Sequence, residues 1–155
     1  LEAEVVTATR QHARKMAPHM RATDMREVWA SGHHTPADAL RLSVQNSAKA
    51  WTALLDDEPI VMFGVGCRTV LDDTGSPWLL GTDRIAEVKH RFLRESRCYI
   101  YEMLAMFPRL ENYVDARNKI TLRWLKWCGF SIFPAEPYGL DWLPFHRILL
   151  RSKDV

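Results

Sequence analysis

The sequence predicts an α/β domain in which a mixed sheet carries helices on both faces. Three observations predict it. Apolar runs at 50–55 and 59–68 flank Asp56-Asp57-Glu58, the pattern of a β-hairpin with an acidic turn. A long segment to Phe107 sets Ile85, Val88, Phe92, Ile100, Met103 and Phe107 at helical spacing and meets Pro108, which ends it. Strand-like and helical stretches then alternate to the C-terminus. The order is strand, helices, three strands, helix, strand, helix, strands, read as one domain over 1–155.

Taken in order, residues 3–7 (Ala-Glu-Val-Val-Thr) make a first strand. Thr9 caps a helix with Ala13, Met16, Ala17 and Met20 on one face. Asp24-Met-Arg-Glu27 reads as a capping box opening a second helix, which carries Met25, Val28 and Trp29 and stops at Gly32. Thr35 caps a third, with Pro36 at its first position and Leu40, Val44 and Ala48 as its buried stripe. Beyond the hairpin, Asp72–Pro77 reads as a turn into a short central strand, Trp78-Leu-Leu80. Gly81-Thr82-Asp83 then leads into the long helix, with Asp83 in the N-cap position. Residues 110–116 form a strand with Leu110 and Val114 on one face. Asn118 caps a helix over 119–128 that Gly129 stops. Ile132, Phe133 and residues 144–151 supply the last strands.

Composition narrows the function. Apolar residues make up 47% and charged residues 26%, a globular balance. The 21 basic and 19 acidic residues leave a net charge of +2, too small an excess to argue for a nucleic-acid or membrane partner. No apolar stretch is long enough for a membrane span, and the acidic Leu-Glu-Ala-Glu start does not read as a signal peptide. Cys67, Cys98 and Cys128 include no C-x-x-C pair and read as reduced, buried thiols. His33-His34 lacks Cys or His partners at ligand spacing, so no metal site is expected. Of the six tryptophans, Trp29 and Trp51 are expected in the core. Trp78, Trp124, Trp127 and Trp142 are candidates for a contact patch, with Trp124 and Trp127 spaced to meet on one helix.

The stretch from Val114 through Asn118 and Thr121 to Gly129-Phe130, set behind the strand–turn–helix of 78–107, resembles the signature of the acyl-CoA N-acyltransferase (GNAT) superfamily. The resemblance implies a mostly antiparallel central sheet, acetyl-CoA as cofactor and transfer of an acetyl group to an amine. A narrower resemblance rests on Arg26-Glu-Val-Trp-Ala-Ser31, Pro77-Trp-Leu-Leu-Gly-Thr-Asp83, Asn112-Tyr-Val-Asp-Ala-Arg-Asn118 and Leu143-Pro-Phe-His-Arg147. These resemble a family of small bacteriophage proteins that includes a virion-morphogenesis (internal virion) protein of short-tailed phages. It implies a phage-encoded chain working in the host bacterial cytoplasm or on the virion, with a phage structural or host protein as partner.

The superfamily holds the CoA pyrophosphate on a Gly-rich turn after the central strand, because the backbone must approach the phosphates closely. The matching turn is Leu80-Gly81-Thr82-Asp83-Arg84, with a single glycine. Asp83 would repel a phosphate about 4–5 Å away by about 1–4 kcal/mol at effective dielectrics of about 80 to 20, and Arg84 offsets part of this. Asn118 fits both a pantetheine contact and a helix cap. A tyrosine that often protonates the departing thiolate would fall at Leu125, which has no proton to give; Tyr113, Tyr138, Cys128 and His146 are the substitutes. Glu111, Asp115 and His146 are the candidate catalytic residues. Glu111 and Asp115 share a strand face with Tyr113, a pattern that fits a pocket wall and a solvated face equally. Three functions stay open: an N-acetyltransferase with a degenerate phosphate turn, an inactive scaffold serving virion assembly or host interaction, and a small-ligand sensor or host-directed inhibitor built on the same scaffold.

Overall fold

The computed structural model describes residues 3–67 and 71–155. Its eight strands are β1 (Ala3–Thr7), β2 (Ser47–Leu55), β3 (Glu58–Gly66), β4 (Thr74–Gly81), β5 (Arg109–Asp115), β6 (Ser131–Ile132), β7 (Glu136–Tyr138) and β8 (Leu143–Arg151). They form one sheet in the order β1-β2-β3-β4-β5-β8-β6, with β7 also on β8. Every pairing is antiparallel except β4 with β5. The expected mixed, mostly antiparallel sheet is therefore present.

Residues 59–65 of β3 are all buried, as a strand covered on both faces requires. One face is covered by α1 (Arg10–Met16) and α3 (Pro36–Gln45), whose Ala13, Met16 and Leu40 pack with Met62 and Leu80. The other carries α4 (Lys89–Met106) and α5 (Lys119–Trp127), whose Ile100, Met103 and Leu125 pack with Val61, Leu110 and Ile148. Helix α2 (Ala22–Gly32) lies between α1 and α3 in the chain.

Local chemistry explains the element ends. The Thr9 hydroxyl accepts from the His12 amide at 3.1 Å while His12 Nδ1 accepts from Thr9 N–H at 3.2 Å, a reciprocal cap. Thr35 Oγ1 accepts from Asp38 N–H at 3.2 Å, with Pro36 behind it. The β2–β3 hairpin turns on Asp56 and Asp57, both left-handed (φ 50° and 66°), the handedness that matches strand twist in a two-residue loop. Gly129, at φ 101°, releases the chain from α5 as expected.

Several expectations are corrected. Strand β4 starts at Thr74, so most of the supposed Asp72–Pro77 turn is strand. Gly75 is there for close packing: a Cβ on it would stand 2.5 Å from Val65 and 2.7 Å from Phe107. Helix α2 starts at Ala22 with Arg21 as N-cap, which puts Asp24 and Glu27 inside the helix and not in a capping box. Residues 83–88 wind as a 3-10 segment before α4, and Thr82, not Asp83, holds its N-cap position. Helix α3 ends at Gln45, leaving Ala48 on β2. Trp51 is buried but Trp29 is 51% exposed. Trp124 meets Phe92 and Trp127 the Arg97 guanidinium. Cys98 is exposed. Arg68, the last residue of the second hairpin run, lies outside the described residues. No helix among the described residues is long and apolar enough to cross a membrane.

Candidate functional site

Strands β4 and β5 run parallel but pair at only two positions, Thr74 with Arg109 and Gly75 with Leu110. Sequence explains why the ladder stops. Pro77 has no N–H to give, and its carbonyl accepts instead from the Asn112 side-chain amide at 2.8 Å. Past that stitch nothing pairs Trp78–Gly81 with Tyr113–Asp115, and a cavity of about 350 Å³ occupies the gap. It passes through the sheet. Ser96, Ile100 and Trp124 line it on the α4–α5 side; Glu27, Val28 and Ser31 line it on the α2 side. The buried indole N–H of Trp124 has no hydrogen-bond partner, an unsatisfied donor on a ring that lines this cavity.

Helix α2 spans the ends of the two strands. Asp24 is fully buried and accepts from Gly81 N–H at 2.8 Å, from Arg21 Nε at 2.8 Å and Nη2 at 2.9 Å, and from Asn118 Nδ2 at 3.3 Å. One turn on, Glu27 accepts from Asp115 N–H at 3.0 Å and from the same Asn118 nitrogen at 3.3 Å. Burial pushes the Glu27 carboxyl up to about 7. The Asp115 amide and Asn118 oppose this, and the nearby Asp24 and Asp115 charges add to it. Glu27 is half-buried and lines the cavity, so this carboxyl is poised to exchange a proton near neutral pH.

The sequence-predicted residues fall out as follows. Leu80 is buried on the cavity wall. The amides of Gly81 and Thr82 are already engaged, by Asp24 and by the Ile60 carbonyl at 2.9 Å. Thr82 Oγ1 also donates to that carbonyl, so it does not cap the following segment. Asp83 is exposed, and Arg84 is paired with Glu87 at 2.9 Å. Asn118 occupies the N-cap position of α5 but turns its amide to Asp24 and Glu27 and makes no side-chain cap.

Glu111, Asp115 and His146 do not line the cavity. Burial works against ionisation of Glu111, but Arg109 and Arg147, at 3.0 and 2.7 Å, outweigh it and hold the carboxyl below the usual range. Asp115 likewise loses its burial effect to a two-pronged contact from Arg117 and sits below the usual range. Carboxylates held ionised in this way are weak bases. His146 binds the Phe133 carbonyl through Nδ1 at 2.7 Å. Tyr113 and Tyr138 both line the cavity, stacked at 4.1 Å. Cys128 lies against Ser96, and burial raises its thiol.

Glu27 was missed because Asp24-x-x-Glu27 mimics a helix start. The signal was there: both acids lie on the inward stripe with Val28 and Ser31, and a carboxylate on such a stripe needs buried partners.

No family model and no curated protein matches the chain. Solved structures match along almost its whole length. A chimera of the Vibrio cholerae spermidine N-acetyltransferase SpeG and hSSAT is 9% identical, with a TM-score of 0.69 over 99% of this chain and 97% of that one. The aminoglycoside acetyltransferase AAC(6')-Ib in complex with coenzyme A is 14% identical, with a TM-score of 0.68 over 99% and 96%. The ribosomal-protein-S5-alanine acetyltransferase of Vibrio fischeri is 16% identical, with a TM-score of 0.67 over 98% and 94%. At these identities the likeness is one of fold. The chain has the GNAT acetyltransferase fold.

Proposed function

We propose that the chain is an acyl-CoA-dependent N-acetyltransferase. The observation that carries this reading is the parting of β4 from β5, with a cavity crossing the sheet at the gap and a carboxyl near pKa 7 on its far wall. The residues present fit acetyl-CoA at its acyl end, where the gap is unfilled and the Trp124 N–H lacks an acceptor. At the phosphate end Gly81 and Thr82 have no amide to spare. The start of α4 is the remaining candidate: Val88 makes no side-chain cap, and Lys89 and His90 are exposed in the first turn. Acetyl-CoA, when bound, supplies an activated acyl thioester.

The protein's own part is proton handling and positioning. Glu27 takes the proton from the acceptor ammonium, its raised pKa bringing it closer to that of an amine. Asp115 N–H and Asn118 hold the carboxylate once it is ionised. Leu125 is buried and apolar, so α5 offers no proton donor at that position. The amine enters from the α2 side, opposite α4.

Calorimetric titration with acetyl-CoA, followed by an assay of thiol release with an amine, tests the reading. Micromolar binding lost in Trp78→Asp, which puts a charge in the gap, is the expected result. No binding up to millimolar acetyl-CoA would sink it.

A second reading, the phage assembly or host-interaction factor implied by the narrower resemblance, draws on a different observation. Trp29, Leu140 and Trp142 are 51%, 67% and 71% exposed, and the 139–142 turn docks on α2 through Leu140 N–H to the Ser31 carbonyl at 3.2 Å. Retention of the chain by purified virions, lost on Trp142→Ala, would favour it.

A further inference from the structure

The charges around the α2 side of the cavity are unevenly distributed. Glu27 is the one carboxylate on the cavity wall among the described residues, and no Lys or Arg lines it. The acids around it are already engaged by basic side chains. Asp24 holds Arg21, Asp115 holds Arg117, Glu111 holds Arg109 and Arg147, and Asp141 meets His33 at 2.5 Å. A single ammonium therefore finds one counter-charge here, and a second finds none. Arg147 stands directly across the ladder from Tyr113 and would face any cationic tail laid along that strand. Beside Ser31, His34, Ser43 and Asn46, the wall offers an apolar body Val28, Leu42, Trp78 and Phe145, with the face-to-face pair of Tyr113 and Tyr138.

We propose that the acceptor is a small primary monoamine with an apolar, ring-sized body, its one ammonium on Glu27. The proposal rests on the acetyltransferase reading and adds the substrate class. In the step it names, the ammonium proton passes to Glu27. The freed amine nitrogen then bonds to the acyl carbon of the thioester as the carbon–sulfur bond breaks, and the second proton that the nitrogen sheds on becoming an amide passes through water to the departing thiolate. A polyamine is disfavoured because each further ammonium would be desolvated without a partner. A peptide N-terminus is disfavoured because polar groups of the wall are already committed to this chain's own backbone, Asn112 to Pro77 and Tyr113, and Ser31 to Val28.

Binding read without turnover tests this. The chain is titrated by calorimetry with 2-phenylethylamine, with spermidine and with a short alanine-initiated peptide, each with and without CoA. The expected result is 2-phenylethylamine at least about tenfold tighter than either competitor, with Glu27→Gln weakening it about tenfold or more while CoA still binds. Ser31→Asp adds a second carboxylate one turn along the same face of α2. It should narrow the gap for spermidine, which gives a gain-of-binding readout that does not depend on a damaged variant. Spermidine or the peptide binding tighter than 2-phenylethylamine to the native chain overturns the acceptor class. So does CoA binding with no amine held. Failure of CoA to bind is read without any amine present, and it removes the transferase reading separately.

Discussion

Asp24 and Glu27 share one nitrogen: Asn118 Nδ2 stands 3.3 Å from an oxygen of each. Through them α2 reaches both of the diverging strands, Asp24 at the Gly81 amide of β4 and Glu27 at the Asp115 amide of β5. The two acids differ in fate. Asp24 has a guanidinium in contact, whereas Glu27 has only N–H donors. Held by neutral donors in a partly dry site, the Glu27 carboxyl moves toward neutrality.

Removing the first acid strands a charge. Asp24→Ala leaves Arg21, only 7% exposed, without its partner and frees the Gly81 and Asn118 donors. We expect a loss of about 3–5 kcal/mol, read as a lowered urea midpoint. Asp24→Asn, which keeps an acceptor, should lose less. Equal losses would mean that the charge is not what Arg21 requires.

The second acid sets a pH dependence whose sign follows from its direction. The Glu27 carboxyl titrates at about 7 folded against 4.5 unfolded. Below pH 4.5 both states are protonated and no difference arises. Between 4.5 and 7 the unfolded chain sheds the proton first, so stability falls as pH rises, and it levels off above 7. Discounted for partial solvent access, the fall is about 1–2 kcal/mol, roughly 2–8 °C in Tm. It should be absent in Glu27→Gln. Turnover should move oppositely, rising with pH through about 7. Glu27→Gln should lower kcat by about 10²–10⁴ and flatten that limb.

Gly75→Ala tests the packing under the strand junction. An added methyl meets side-chain atoms of Val65 and Phe107 well inside normal contact, and both are buried. A cost of about 1–3 kcal/mol is expected in chemical denaturation. A neutral result would show that Phe107 gives way freely.

Asp57→Gly should act in the opposite sense. At φ 66° an aspartate is held where a glycine sits without a steric penalty, and Asp-Gly is the favoured pair for this turn. A gain of about 0.5–1 kcal/mol is expected, visible as a raised Tm. A lower Tm would mean that the Asp57 side chain contributes more than its backbone costs.

The sequence made the helix caps at Thr9 and Thr35, the acidic hairpin and the Asn118–Gly129 helix legible, because each rests on contacts within a few residues. What it concealed was long-range. Asp72 to Pro77 carries every local mark of a turn, yet β5 recruits Thr74 and Gly75 and β3 recruits Ser76 and Pro77 as strand, supplying ladder pairing that outweighs poor strand propensity. The polar face of Glu111 and Asp115 was visible by alternation. That arginines on β5, β8 and the following turn would hold both acids was not, since those pairings depend on register. Glu27 became a candidate only once Asp115 and Asn118, about ninety residues away in the chain, stood beside it.

The short β4–β5 pairing also has a mechanical consequence. The sheet consists of two leaves, β1–β4 and β5–β8, and their seam is two residue pairs long. Asn112 pins the seam at its closed end, and the Asp24–Asn118–Glu27 bridge latches it at the open one. The molecule can thus yield along a defined line without unfolding either leaf. A ligand wedged between the leaves at the open end works against that latch, while a shared core that joins Val61 and Phe63 of one leaf to Leu110 and Ile148 of the other keeps the seam closed.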